Sequence, residues 1–415
     1  MTPEQVARRR AVEALRSGVP SWDAVVALGT GQTEAEDSYT ATLDAAERGK
    51  ARGLLLGADF GAGKSHLLTH LAQVALDRGF AVSTVVISKE TPLHDPAKVF
   101  RAAVESLTGP ARVSGALSDA AATLDPDTPR YAELTRWLHS TGVPVDERFA
   151  ATLLLHERLQ GGEAPDSEAT SEAVLRFWAG DPLRTPDLRR ALKAVGAAGV
   201  YSLSAVPARE LARQRMRFLS RLLRAAGYNG WVVLFDEVEL IGRYSALQRG
   251  RSYAELARWV GGDPDDPSAP LAAVLAMTDD FEAAVLAGKD DRTKIPTKLR
   301  DKQTQEWTEL AQLAEKGIRH IERDLLLLDP PDAAELDRAY AVLKDLHGSA
   351  YSWSPPDVPG LERLGATRMR QYVRAWINAW DLVRLDPDHQ PDPEVVELPS
   401  SYAEDDALEQ DAAPS

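Results

Sequence analysis

The sequence predicts an α/β protein: a parallel five-stranded sheet covered by helices on both faces. Three observations carry this. Five short apolar runs alternate with helical or loop sequence, a glycine-rich turn joins the first run to an amphipathic helix pattern, and the third run ends in two carboxylates.

From the N-terminus, residues 4–28 alternate basic and apolar residues at helical spacing and are interrupted by Gly18 and Pro20, which predicts two short helices inside an N-terminal helical segment, 1–50. The strands follow at GLLLGA (53–58), AVSTVVIS (81–88), GWVVLFDE (230–237), LAAVLAMT (271–278) and RDLLLLDP (323–330). They define a core over 51–330, with a long helical insertion at about 95–229. Two further helical patterns separated by the turn-rich WSPPDVPG (353–360) form a C-terminal helical lid, 331–385. From Asp386 onward there are ten Asp/Glu and no Lys or Arg, with no periodicity, so 386–415 is expected to be a disordered acidic tail.

Composition bounds the chemistry. The 415 residues carry 48 Lys+Arg against 63 Asp+Glu, a formal charge of -15, so any contact with nucleic acid must be regional. The absence of cysteine excludes disulfides, thiolate metal sites and cysteine nucleophiles. No apolar run is long enough to span a bilayer and the N-terminus lacks a secretory signal, so no membrane partner is expected and the cytoplasm is the expected location.

Ala58, Asp59, Phe60, Gly61, Ala62, Gly63, Lys64 and Ser65 have the spacing of a Walker A loop, with Ala58 where the first glycine is usual. Successive backbone N–H groups of such a loop converge on the phosphates of ATP, Lys64 reaches the β- and γ-phosphates, and Ser65 ligates Mg²⁺; the nucleotide contacts are taken to extend to His66. The following helix adds its positive N-terminal end. Asp236 and Glu237 end an apolar strand in the form of a Walker B segment: Asp236 is the Mg²⁺ ligand and Glu237 the acceptor of a proton from attacking water. These features predict a P-loop NTPase with ATP and Mg²⁺ as cofactors.

Thr278, at the end of the fourth run, is either a holder of the attacking water and γ-phosphate or a capping threonine. Arg319 and Arg323 immediately precede the apolar residues of the fifth run and reach the nucleotide of an adjacent subunit if the chain forms a homo-oligomer. Arg368, Arg370 and Arg374 in the lid are the alternatives, meeting the γ-phosphate in cis, with Arg370 foremost among them. Each of these arginines taken alone also reads as a surface residue.

The stretches RRRAVEALRSGVPSWDAVVALG, GADFGAGKSHLL, TPLHDPAKVFRA and AAGYNGWVVLFDEVELI together resemble the ATP-binding proteins of BREX-type bacterial phage-defence systems, most closely their smaller, D-type component. The resemblance covers most of residues 8–385 and is weak through the insertion. It implies an AAA+-like ATPase with a helical lid, Lys64 and Ser65 in the phosphate site, Asp236 and Glu237 as the Mg²⁺ and catalytic carboxylates, and partners such as a helicase or methyltransferase.

Two basic features remain. Arg209, Arg213, Arg217 and Arg221 recur every fourth residue on one helix face, where they either follow a DNA phosphate backbone or form an exposed face paired to neighbouring carboxylates. GKDDRTKIPTKLRDK (288–302) reads as a basic loop after the fourth strand. The leading expectation is an Mg²⁺-dependent ATPase acting as a motor or switch; a nucleotide-dependent scaffold with little hydrolysis and a P-loop small-molecule kinase are the alternatives.

Overall fold

A computed structural model describes residues 2–19, 21–111, 115–140, 145–160, 167–358 and 369–386, together with Asp388 and Tyr402. Apart from Asp386, Asp388 and Tyr402, the acidic tail lies outside the described residues, as does Arg368.

Five strands form one all-parallel sheet in the order β2-β3-β4-β1-β5, where β1 is Arg52–Gly57, β2 Ala81–Val86, β3 Trp231–Asp236, β4 Leu271–Met277 and β5 Leu325–Leu327. Alternation within the apolar runs serves two cores. Trp231, Val233 and Phe235 face one side of the sheet, while Val232 and Leu234 face the other. Ala273, Leu275 and Met277 against Ala272, Val274 and Ala276 repeat the division on β4.

The helices are α1 (Pro3–Ser17), α2 (Trp22–Leu28), α3 (Thr33–Glu47) and α4 (Lys64–Asp77) before β2. The link from β2 to β3 contains α5 (Pro96–Glu105), α6 (Ala116–Ala122), α7 (Pro129–Leu138), α8 (Arg148–Gln160), α9 (Ser167–Trp178), α10 (Thr185–Ala194) and α11 (Ala208–Ala225). Next come α12 (Ala246–Gly261), α13 (Asp291–Arg300), α14 (Gln305–Asp324), α15 (Ala333–Tyr351) and α16 (Met369–Leu385). No described helix is long and apolar enough to cross a membrane.

Helices α3 and α4 cover one sheet face through Tyr39, Leu43, Leu68 and Leu71. The break at Gly18, left-handed at φ 71°, separates α1 from α2 as its position predicts, and both helices pack on the C-terminal pair. Val12, Leu15 and Ala24 share a core with Leu343, Tyr372, Trp376 and Trp380. Helices α1 and α2 therefore meet α15 and α16 beside the turn that follows β1.

Three expectations are corrected. The fifth strand is only three residues long, because Arg323 and Asp324 complete the last turn of α14. The basic stretch 288–302 is chiefly helix α13, tied to α12 by a buried cluster in which Arg249 Nε and Nη2 donate to Asp291 at 2.7 and 2.9 Å and the Tyr253 hydroxyl donates to the same carboxylate at 2.7 Å. The arginine row on α11 is not an open face for DNA. Arg217 is 2% exposed and bonds Asp263 and Asp265 at 2.7 Å each. Arg213 pairs with Glu255, Arg221 forks onto Asp266, and Arg209 donates to the His94 carbonyl at 2.7 Å. Pairing with carboxylates, one of the two readings, holds for Arg213, Arg217 and Arg221; exposure does not, because the turn 263–266 folds back over the helix.

Truncating Arg217 removes a buried cation and leaves Asp263 without its main partner. Arg217→Ala is expected to lower stability by about 2 kcal/mol, read as a reduced urea midpoint with an unchanged slope.

Candidate nucleotide site

Strand β1 ends at Gly57, and the chain turns through residues 58–63 into α4. Gly61 at φ 82° and Gly63 at φ 104° occupy backbone regions open to glycine, which is why the turn needs them. Ala58 has no such requirement. Its N–H donates to the Met277 carbonyl at 3.2 Å and its carbonyl accepts from Asp279 N–H at 3.3 Å, continuing the β1–β4 pairing, so a methyl group replaces the usual glycine without strain.

Lys64 is 9% exposed, and its ammonium donates to the carbonyls of Ala58 at 2.9 Å and Asp59 at 3.2 Å. Both are acceptors of the turn itself. The Ser65 hydroxyl donates to Asp236 Oδ2 at 2.5 Å, joining the start of α4 to the end of β3. Strands β3 and β4 are neighbours with Phe235 level with Leu275, so Thr278 sits at the same end of the sheet as this pair.

Glu237 follows in a left-handed conformation, φ 58°, with its N–H donating to Asp236 Oδ1 at 2.9 Å. A non-glycine residue there carries a cost on the order of 1 kcal/mol, and strain of this kind is concentrated at functional positions. Burial, and then the neighbouring Asp236 charge, raise the Glu237 pKa above its ordinary value, while Lys64 and Arg370 oppose the shift.

Thr278 is 3% exposed and shares a short hydrogen bond with the Tyr402 hydroxyl, which donates to Asp280 Oδ1 at 2.7 Å. At the other side of the turn, Arg370 N–H donates to the Gly61 carbonyl at 3.3 Å, and its guanidinium lies 5.7 Å from the centre of the Phe60 ring. The structure thus brings Lys64, Ser65, Asp236, Glu237, Thr278 and Arg370 around one crevice at the C-terminal ends of the strands. Arg319 and Arg323 are exposed on the last turns of α14, before β5, and do not join the crevice of their own chain. Arg374 is exposed on α16.

His66 lines the cavity beside the turn and bonds the segment across it. Its Nε2 donates to the Gly29 carbonyl at 2.8 Å, and burial lowers its pKa, favouring the neutral ring. The segment it holds, 29–32, is also tied to the end of β5 by the Gln32 amide, which donates to Asp329 O and accepts from Asp329 N, each at 3.0 Å. Between this segment, the loop at Ala62 and Gly63, the link 328–331 and helices α15 and α16 lies a cavity of about 120 Å³.

A comparison with known protein families matches residues 4–122 and 143–288 to the BREX system ATP-binding protein BrxC/D family. The chain belongs to this family. Comparison with curated proteins and with solved structures gives no match. Membership supports ATP binding within a phage-defence system, and the matched span contains Lys64, Ser65, Asp236, Glu237 and Thr278. Arg319, Arg323 and Arg370 lie beyond it.

For this member of the BREX family, sequence reasoning overlooked two residues in the crevice. Glu239 is 6% exposed, with Oε2 unbonded, and burial raises its pKa to about 7 against the pull of Lys64. Its signal was a third carboxylate within four residues of Asp236. Tyr402 gave none, being an isolated aromatic in an acidic, proline-containing stretch.

Proposed function

We propose that the chain is a P-loop, AAA+-like ATPase that binds ATP with Mg²⁺ in this crevice and hydrolyses it, working as a motor or switch in the defence system. The observation that carries the reading is the junction of Ser65 and Asp236 at 2.5 Å, 171 positions apart in sequence, beside Lys64. Hydroxyl plus one carboxylate is the donor set Mg²⁺ takes when nucleotide phosphates and water complete its shell. Bound there, Mg²⁺ supplies positive charge to the β- and γ-phosphate oxygens.

The chain's own residues do the rest. Lys64 exchanges its two loop carbonyls for phosphate oxygens, and the N–H groups of the loop and the start of α4 surround the phosphates. The cavity beside Gly29–Gln32 takes the base and ribose. Glu237 accepts a proton from water as the water oxygen bonds the γ-phosphorus and the bond to the β-phosphate bridging oxygen breaks, releasing ADP and phosphate. Thr278 holds that water or the γ-phosphate, and Arg370 meets the γ-phosphate from the lid. Arg319 and Arg323, exposed on α14, serve a neighbouring copy in a homo-oligomer. Helicase or methyltransferase partners couple turnover to foreign DNA.

Phosphate release from ATP by the purified chain, measured with and without Mg²⁺, tests the reading. Release that needs Mg²⁺ is the expected result; tight ATP binding without release, even with DNA and partner proteins present, would favour a scaffold, and a phosphorylated small molecule a kinase.

A further inference from the structure

The end of the sheet opposite the nucleotide crevice holds a different site. At the N-terminal ends of β1, β3 and β4, the turn after α3, helix α7, the end of α11 and the turn before β4 enclose an open cavity of about 420 Å³. Arg48, Arg130, Arg136, Arg221 and Arg224 line it with Trp137, and Glu133 is the acidic residue among its lining. In a chain of charge -15 this is a local reversal of sign.

The pairing of these arginines sets them apart from the rest of α11. Arg213, Arg217 and Arg221 each have a carboxylate, whereas no described carboxylate lies within ion-pair distance of Arg48, Arg130, Arg136 or Arg224. Two of the four are nevertheless held in place by neutral acceptors. Arg130 Nη1 donates to the Gly227 and Tyr228 carbonyls at 3.0 Å each, and Arg224 Nη1 donates to the Glu47 carbonyl at 2.9 Å. Carbonyl partners orient a guanidinium without cancelling its charge. The nearby Glu47 and Asp44 side chains are taken by Arg78 at 2.9 and 2.6 Å.

Trp137 adds a half-buried ring with Arg221 stacked 4.3 Å above its centre, and its Nε1 is buried with no acceptor; Arg224 Nε is in the same condition. Buried donors of this kind are unfavourable unless something accepts from them. Arg48 and Arg136 are exposed at the rim.

We propose that this cavity is a binding site for the phosphate backbone of a nucleic acid, read without sequence preference. Guanidinium groups held by carbonyls, with no described carboxylate in ion-pair range, match phosphate oxygens in geometry and charge, and Arg221 already occupies one face of the Trp137 ring. The site is independent of the ATP crevice, from which the sheet separates it.

Fluorescence anisotropy of the full chain with labelled single-stranded and duplex oligonucleotides, across a salt series, tests this. Wild type is expected to bind at least one form, with affinity falling as salt rises. Arg48→Glu together with Arg136→Glu, both at exposed positions, should weaken binding by roughly 10-fold or more and flatten the log–log salt slope by about 1.5, with ATP binding unchanged. Absence of binding by wild type, or the same affinity and slope in the double variant, would overturn the proposal. Equal affinity for a poly-glutamate peptide at matched salt would also overturn it, assigning the cavity to an acidic protein segment.

Discussion

Glu237→Gln is expected to bind ATP as the wild-type chain does and to lose turnover by ~10²- to 10⁴-fold. The amide keeps the volume and hydrogen-bonding reach of the side chain but cannot take the proton that water must lose as it attacks. The substitution is nearly neutral for the fold: the strained backbone at φ 58° is held by β3 and by the Glu237 N–H bond to Asp236, neither of which involves the substituted carboxyl group. Phosphate release at saturating ATP, paired with a binding isotherm for a fluorescent ATP analogue, separates the two effects. Equal turnover in the variant removes Glu237 from the chemistry.

Lys64→Ala is expected to act one step earlier and weaken ATP binding by ~100-fold, about 3 kcal/mol, as judged by calorimetric titration with Mg²⁺ and ATP. The physical reason is the exchange available to the ammonium. In the structure it donates to two loop carbonyls, and phosphate oxygens bearing full charge are better acceptors than either. Alanine also leaves the Ala58 and Asp59 carbonyls without that donor, so a thermal melt has to accompany the titration to show the fold intact. An unchanged affinity contradicts the assignment of Lys64 to the phosphates. The two variants fail differently: one binds without turning over, the other scarcely binds.

Much of the architecture was legible from local pattern. Each of the first four strands lies within two residues of its predicted bounds, because an apolar run flanked by turn residues is itself the signature of a strand buried on both faces. The turn 58–63 was legible from its glycines, whose positive φ values no other residue adopts as readily. Helix α13 was missed because Pro296 and a dense run of charges read as a loop, whereas the buried Arg249–Asp291 pair supplies from outside the segment what its own sequence lacks.

The sequence by itself determined the α/β alternation, the phosphate-type turn and the carboxylate-ended strand, since each depends on residues only a few positions apart. Tertiary structure alone decided which charges remain available. The evenly spaced arginines of α11 looked like a basic face, yet the 263–266 turn neutralises Arg217 and Arg221 and Glu255 takes Arg213, while Arg48, Arg130, Arg136 and Arg224, scattered over the chain, converge with no described carboxylate in ion-pair range. Tyr402 reaches Thr278 across 124 positions in the same way. Helical and strand periodicity is a short-range property of the chain, but Coulomb pairing acts between whatever groups the fold brings within a few ångströms, and no spacing along the sequence encodes that distance.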